Sequence, residues 1–247
     1  MVKCKMKVYI HIKNNGQISS HNNYSAYEGF SEMGFEIITY MDLANITDNK
    51  AEDIIVSHVD DVRNTLHRFG IVAPEIDYPE ELNKYLGRKI WKSNINTIAN
   101  NPENWNIFIK PIEDKKFTGV VVKSTRDLIG CGTIGENTEI FCSEVVKFKA
   151  EWRCFVRYGE ILDVRLYKGD WRQHYNARVI ENAVAEYVSA PNGYAIDFGV
   201  TDKGETLLIE VNDGYSLGYY GLFHLDYAKL LSARWAELTG TTDECNF

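Results

Sequence analysis

The clearest hydrophobic pattern lies near the C-terminal end of the chain, where apolar and polar residues alternate in two neighbouring stretches. Alternation with a period of two is typical of strands, because successive side chains point to opposite faces. The pattern predicts strands over Tyr194–Val200 and Glu205–Asn212, joined by a short turn. In the second strand, we expect Leu208, Glu210 and Asn212 to share one face.

Acidic residues of these two strands are predicted to converge. A two-residue turn pairs Asp202 with Glu205, and counting back places Asp197 opposite Glu210, about 5 Å apart at Cβ. Two carboxylates and the amide oxygen of Asn212 suit a hard divalent cation such as Mg²⁺. The alternative is a solvated acidic hairpin face. Against it, these residues are embedded among apolar neighbours, where facing like charges are costly without a cation between them.

The first 80 residues alternate in the manner of a small α/β unit. The four histidines of this segment have no metal-ligand spacing, so it predicts a lobe and no chemistry of its own. The expected strands are Lys7–Ile12, Phe35–Tyr40 and Asp53–Ser57, and the expected helices are Tyr24–Met33 and Val59–Phe69.

Beyond residue 80 the pattern becomes mostly β with inserted helices. Glu80–Ile98 has helical composition. The strand Asn106–Lys110 ends in a lysine before Pro111, which is expected to bar continuation of the ladder. The other predicted strands are Val120–Lys123, Glu139–Val146, Glu151–Arg157 and Glu160–Tyr167, and the predicted helices are Thr125–Ile129 (one turn), Asn176–Val188 and Phe223–Leu238.

Composition places the chain among ordinary soluble proteins, with 247 residues, 45% hydrophobic and 25% charged. No run approaches the ~18 apolar residues of a membrane span, and the N-terminus lacks signal-peptide features. Five scattered cysteines without CxxC pairs argue against a disulfide framework or structural zinc. We therefore expect a cytoplasmic protein without a membrane partner. The net charge of -8 disfavours broad nucleic-acid binding.

Two further stretches could contact a nucleotide. Lys110 stands at a strand end beside the basic loop 115–119, where a lysine can direct a compact positive charge at a phosphate. The loop KKFTG lacks the glycines of a P-loop. The extended segment 144–146 has backbone groups that can read an adenine edge, and Glu151 can accept hydrogen bonds from ribose. The alternative is an ordinary strand with an acidic start.

A basic set lies on the predicted hairpin 151–167 and just beyond it. A solvated charged face is the default interpretation, although clustered guanidiniums also suit phosphates or a substrate carboxylate. Whether Arg153 and Arg165 share a face depends on the parity of the hairpin turn, which stays open. The set comprises Arg153, Arg157, Arg165, Lys168 and Arg172.

The order of these motifs resembles that of the ATP-grasp superfamily. The chain reads FIKP, KKFTG, SEVV, EWR, AIDFG and IEVND in turn, within roughly residues 85–240. The likeness is greatest to a small clade marked by paired arginines and a lysine, on EWRCFV, DVRLYKGDW and LIEVNDGYSLG. The phosphate loop has fewer glycines than in many ATP-grasp ligases, which leaves its contacts open.

The resemblance implies an α+β fold in which two α+β lobes sandwich ATP. It divides the chain into an N-terminal α/β domain over residues 1–80 and an ATP-grasp domain over 81–247. Within the second domain, a central lobe would cover 81–143 and a C-terminal lobe 144–240. The implied cofactors are ATP and one or two Mg²⁺ ions.

The resemblance also implies roles for individual residues. The phosphates would be bound by Lys110 and an earlier lysine, either Lys89 or Lys92, under a loop comprising Lys116, Thr118 and Gly119. Adenine would contact Glu144, Val145 and Val146, and ribose Glu151. The metal ligands would be Asp197, Glu210 and Asn212. The residues that orient the γ-phosphate or acyl-phosphate would be Arg153 and Arg165, with Lys168 assigned to the same catalytic group.

The implied activity is ATP- and Mg²⁺-dependent ligation of a carboxylate to an amine through an acyl-phosphate, with a thiol as another possible acceptor. The substrates would be small molecules or peptides. A nucleotide-binding module without catalysis and a kinase on the same scaffold are the alternatives. Four residues of NDGYSLGYYG either line the acceptor pocket or form a packed turn: Tyr215, Ser216, Tyr219 and Tyr220.

Overall fold

The computed structural model describes residues 6–113, 116–132 and 135–247. Cys4 and the loop residue Lys115 lie outside this part. The chain forms two compact units, the first made of residues 1–85 with 149–247 and the second of 86–148. None of the helices within the described ranges combines the length and hydrophobicity needed to span a bilayer. The predicted division at residues 80, 143 and 240 stays a prediction.

The first unit begins with a small parallel sheet and two helices. Its elements are β1 (Lys7–His11), α1 (His21–Glu32), β2 (Glu36–Tyr40), β3 (Ile54–Val56) and α2 (Val59–Arg68). The strand order is β2-β1-β3. The Ser20 side chain caps α1 by accepting a hydrogen bond from the Asn23 amide. The predicted alternation of strands and helices is confirmed, with small shifts at the ends.

The second unit is a four-stranded antiparallel sheet of order β4-β7-β5-β6. Its elements are β4 (Ile90–Asn94), α3 (Ile95–Asn100), β5 (Ile107–Pro111), β6 (Val120–Val122) and β7 (Glu139–Glu144). One face is apolar, and Ile109 and Cys142 lie there fully buried. Short 3-10 helices cover Pro102–Asn104 and Thr125–Leu128.

The predicted helix over Glu80–Ile98 is wrong. Only Glu80–Tyr85 is helical, as a 3-10 helix, and the chain then enters β4. The reason is tertiary pairing, because Trp91 of β4 lies opposite Cys142 and packs on the apolar core of the sheet. Packing of this kind overrides the local helical composition.

Pro111 does not end the ladder as expected. It pairs with Ile140 of β7, and the next amide, Ile112, donates to the Glu139 carbonyl at 3.1 Å. In an antiparallel pair, alternate residues are not hydrogen-bonded to each other. Pro111 occupies such a position, and β6 on its other side pairs only as far as Ile109. The missing N–H therefore costs no hydrogen bond.

The first unit resumes with a second antiparallel sheet, of order β11-β10-β8-β9. Its elements are β8 (Phe148–Arg157), β9 (Glu160–Gly169), α4 (Ala177–Glu186), β10 (Gly193–Thr201), β11 (Thr206–Asp213) and α5 (His224–Thr239). The β8–β9 turn is Tyr158-Gly159, as predicted, and both residues have positive φ (50° and 77°). Two such residues form a turn whose twist matches the strands.

The β10–β11 turn is one residue longer than predicted. The Thr201 amide donates to the Glu205 carbonyl at 2.9 Å, and Gly204 supplies the positive φ of 80°. Val200 consequently pairs with Thr206, so the predicted pairing of Asp202 with Glu205 is wrong.

A β-bulge after Phe198 corrects this offset. Phe198 pairs with Leu208, but Asp197 pairs with Glu210, as predicted. The extra residue moves Leu208 to the core face, where it is fully buried. The expectation that Leu208 shares the face of Glu210 is therefore wrong, and Leu207 is on that face instead.

One apolar core joins the parallel sheet to the β8–β11 sheet within the first unit. It contains Val8 and Ile10 from β1, Phe155 from β8, and Tyr227 from α5. Helices α1 and α5 approach so closely that a side chain at Gly29 would overlap the His224 carbonyl. This core fixes the sheet that carries the candidate active site.

Candidate active site

A row of four charged residues crosses the β8–β11 sheet, one from each strand. Glu210 lies opposite Asp197, and Arg153 lies opposite Arg165. The middle two are joined by a two-pronged ion pair, in which Nε and Nη2 of Arg153 donate to the Asp197 carboxylate at 2.8 and 2.7 Å. The register thus answers the open question of parity, since the two arginines share a face. We call these residues the charge row.

The centre of the charge row is buried. Asp197 is 2% exposed and Arg153 6% exposed. Burial raises the pKa of Asp197, the Arg153 guanidinium lowers it in part, and the charge of Glu210 raises it further. The guanidinium is therefore the cation that makes two facing carboxylates tolerable here.

Aromatic rings cover the guanidinium of Arg153. Its Cζ lies 4.8 Å from the ring centroid of Tyr220 and 5.8 Å from that of Tyr167, and those two rings stack at 4.9 Å. Nη1 donates to the Gly218 carbonyl at 3.4 Å. Tyr220 has a positive φ of 40°, an uncommon conformation outside glycine. Sequence reasoning missed Tyr167 in this role, although it sits beside Lys168 in the motif DVRLYKGDW.

The three predicted metal ligands do come together. Asn212 Nδ2 donates to Asp197 Oδ2 at 3.2 Å, and Glu210 is opposite Asp197. Their oxygens are the donor type that Mg²⁺ prefers, and Glu210 and Asn212 are only half-buried. Within residues 6–113, 116–132 and 135–247, no group of three or more His, Cys, Asp and Glu side chains is arranged to hold a metal. The donor set fits a cation, and its ligand role stays a prediction.

The other basic residues of the hairpin each contact a neighbouring acid. Arg165 Nη2 lies 2.5 Å from Asp163, and its side chain is 43% exposed. Lys168 lies opposite Glu151, with Nζ 2.6 Å from the carboxylate. The predicted catalytic lysine and the predicted ribose ligand are thus partners. Arg157 is elsewhere and pairs with Asp243 at 2.8 Å.

In the second unit, two lysines flank one aromatic ring. Lys92 of β4 and Lys110 of β5 both lie opposite Phe141 of β7. Their Nζ atoms are 5.2 and 5.6 Å from its ring centroid, within the range of cation–π attraction. This surface, the lysine face, is the side of the sheet opposite its apolar core.

Lys89 is not part of the lysine face. Its Nζ lies 5.4 Å from the ring of Trp91, whose neighbour across the sheet is the core residue Cys142. Side chains alternate, so Lys89 points to the other side from Lys92. The structure therefore places Lys92 with Lys110, a choice that the sequence left open.

The predicted phosphate loop runs beside the lysine face. Lys116 contacts two carboxylates, Glu113 at 2.9 Å and also Glu136. Thr118 is exposed. Gly119 packs on Phe108, since an added Cβ would lie 2.5 Å from the ring Cζ. A glycine is required here because the loop meets the ring directly.

The predicted adenine segment lies at the end of the second unit. Val145 and Val146 follow β7 and precede β8, outside both strands, and Val145 is 41% exposed. The Glu144 carboxylate accepts a hydrogen bond from the Lys89 amide at 2.8 Å. The backbone of this segment is thus outside the regular sheet, while its acid is tied to the strand before it.

The loop between β11 and α5 combines both predicted possibilities. Tyr215 is 8% exposed, and its hydroxyl accepts from Arg63 Nε at 3.0 Å. Ser216 donates to the Ser57 carbonyl at 2.9 Å. The first part of the loop is therefore packed, whereas Tyr220 is 45% exposed. Arg63 had no sequence signal, since its contact spans 152 positions.

Solved structures with the same fold are ATP-grasp ligases. The D-alanine–D-alanine ligase from Bacillus anthracis complexed with ATP is 16% identical, with a TM-score of 0.57 over 95% of this chain and 97% of that one. The D-cycloserine synthetase DcsG is 12% identical, with a TM-score of 0.57 over 93% and 99%. A RiPP-associated ATP-grasp ligase from Chryseobacterium gregarium is 14% identical, with a TM-score of 0.50 over 92% and 96%.

The family of the chain follows from a second comparison. Residues 85–230 match the second family of the ATP-grasp domain clade that is named for two arginines and a lysine. The chain therefore belongs to this ATP-grasp family, and the fold class implied by the sequence is confirmed. No curated protein matches the chain.

Proposed function

We propose that the protein is an ATP- and Mg²⁺-dependent ligase that joins a carboxylate to an amine through an acyl-phosphate. The family and the fold support ATP-dependent ligation in general. The observation that carries the more specific proposal is the charge row, which presents a carboxylate end and a guanidinium end on one sheet. Such an arrangement can bind a cation and a phosphoryl group side by side.

The residues would divide the work by charge. Glu210 and Asn212, with Asp197, would hold Mg²⁺, which supplies Lewis-acid stabilisation of the phosphates. Lys92 and Lys110 of the lysine face would bind phosphate oxygens. The backbone of Val145 and Val146, with Glu144, would bind adenine, and Glu151 the ribose. Arg165 and Lys168 would contact the transferred group.

The chemistry needs no side-chain nucleophile. The substrate carboxylate attacks the γ-phosphorus, the bond to the β-phosphate oxygen breaks, and ADP leaves. The amine then attacks the acyl carbon, phosphate leaves with the bonding electron pair, and the amine loses a proton. Positive side chains accelerate the first step by stabilising charge on the transferred phosphoryl group.

The test is release of ADP that depends on both a carboxylate and an amine, measured over panels of amino acids and short peptides. Glu210→Gln is expected to abolish turnover, and Glu205→Gln, at the far end of the same strand, serves as the matched control. A folded Glu210→Gln variant with full turnover would contradict the proposal. A stable phosphorylated product would indicate a kinase, and nucleotide binding without turnover a binding module.

A further inference from the structure

The two arginines of the charge row face each other but differ in their surroundings. The Arg153 side chain is 7% exposed and the Arg165 side chain 43%. Arg153 uses Nε, Nη1 and Nη2 on Asp197 and Gly218. Arg165 contacts Asp163 through Nη2, and its Nε is buried without a hydrogen-bond partner in the described part of the chain.

Donor capacity therefore remains at one arginine and not at the other. A guanidinium has five N–H donors in a fixed fork. At Arg153, both prongs of the fork are directed at one buried carboxylate, and the Tyr220 ring covers the group. Contact with a phosphate there would require breaking a buried ion pair. Arg165 can meet an anion without such a cost.

The Arg153 fork also determines where the neighbouring ligands lie. Asp197 accepts from Arg153 on both oxygens, and Asn212 donates to the same carboxylate at 3.2 Å. A carboxylate held at two points cannot rotate, whereas one held by the single point charge of a lysine can. The position of Asp197 in turn fixes Asn212 beside Glu210.

We propose that Arg153 is a positioning residue that holds the cation site formed by Asp197, Glu210 and Asn212, whereas Arg165 contacts the anionic substrate. This inference rests on the proposed function and divides between two residues a role that the sequence resemblance gives to both.

The test compares Arg153→Lys with Arg165→Lys in the full-length protein. Mn²⁺ affinity is measured by electron paramagnetic resonance in the presence of a non-hydrolysable ATP analogue. Loss of a group that orients a metal ligand weakens metal binding by about 10-fold to 100-fold, and we expect this for Arg153→Lys. Arg165→Lys is expected to keep the Mn²⁺ affinity of the wild type. At saturating Mg²⁺, we expect it to lower kcat for ADP release.

Two substitutions of Tyr220 keep the proposal testable if Arg153→Lys does not fold. Tyr220→Leu removes the ring over the guanidinium and is expected to weaken Mn²⁺ binding, whereas Tyr220→Phe keeps the ring and is expected to bind Mn²⁺ as the wild type does.

The outcomes are distinguishable. Equal Mn²⁺ affinities in the two arginine variants, or a loss only in Arg165→Lys, would overturn the inference while leaving the ligase proposal intact. If Arg153→Lys does not fold, equal Mn²⁺ affinities in the two Tyr220 variants would overturn it. Failure of the wild-type protein to bind Mn²⁺ with the ATP analogue would instead overturn the proposed function itself.

Discussion

The charge row of the first unit and the lysine face of the second handle charge in opposite ways. In the charge row, the arginine at the centre is buried and fixed by a carboxylate in the same sheet. On the lysine face, Lys92 and Lys110 both lie against the uncharged ring of Phe141. A ring attracts ammonium groups without neutralising them.

The difference indicates two kinds of preparation for a ligand. Fixed, paired charges hold one geometry, at the cost of removing both ions from water. Charges on flexible stems over a ring keep their net positive field and can follow an anion as it arrives. The first arrangement suits a cation with strict ligand geometry, and the second suits phosphates.

The largest expected effect is on stability, from Arg153→Met. Removing one partner leaves Asp197 buried and unpaired, which costs about 3–5 kcal/mol. Arg165→Met, at the exposed end of the row, should cost under about 1 kcal/mol. Urea unfolding of the two variants measures both values. The double variant Arg153→Met/Asp197→Leu should recover most of the loss, and equal costs for the two single variants would break the comparison.

On the lysine face, the effect should be on ATP use and not on stability. We expect Lys110→Met to lower kcat/KM for ATP by about 100-fold to 1000-fold, because one preorganised positive contact to the phosphates is lost. Lys92→Met should act in the same direction. Lys89→Met, on the other side of the sheet, is the matched control and should leave kcat/KM for ATP near the wild-type value. A comparable loss in Lys89→Met would contradict the assignment of the lysine face.

A third prediction concerns the core beneath the lysine face. Burial raises the pKa of the Cys142 thiol from 9.0 to about 11. Its contribution to stability is fully present below pH 9 and is lost as the pH rises from 9 to 11, a change of about 3 kcal/mol. Cys142→Ala should therefore lose less stability than the wild type between pH 8 and 11 in urea unfolding. Parallel losses in the two proteins would show that another group is responsible.

The smallest expected effect comes from Gly119→Ala. The added methyl group would displace the Phe108 ring on the lysine face, at a cost of about 1–3 kcal/mol. Gly132→Ala is the control in the same unit, because its Cβ would lie 3.7 Å from Thr138 Oγ1, an ordinary contact. Thermal unfolding compares the two variants. Equal melting temperatures would mean that the loop moves away from the ring without cost.

The sequence predicted the strands and helices of the first unit well because their periodicity is local. It also placed Asp197 opposite Glu210, but through two errors that cancel: the turn is one residue longer than assumed, and a bulge restores the register. Turn length and bulges depend on packing of the whole sheet, for which Leu208 carries no local signal. The same holds for the pairing that turns Ile90–Asn94 into a strand.

The charged residues show the same limit. Their types and order were visible in the sequence, and the resemblance to ATP-grasp enzymes rested on them. The sequence contained neither the partners nor the burial that distinguish Arg153 from Arg165, because the contact with Asp197 spans 44 positions. The choice between Lys89 and Lys92 likewise depended on which side of β4 faces the core.

The core shared by β1, α1, β8 and α5 has a practical consequence for producing the protein in pieces. The family match begins at residue 85 and ends at 230, so a recombinant fragment with those limits would lack the parallel sheet and half of α5. Apolar side chains such as Phe155 and Tyr227 would then face water, and the fragment should aggregate. Autonomous folding needs a longer span than the one that evolution marks as a family.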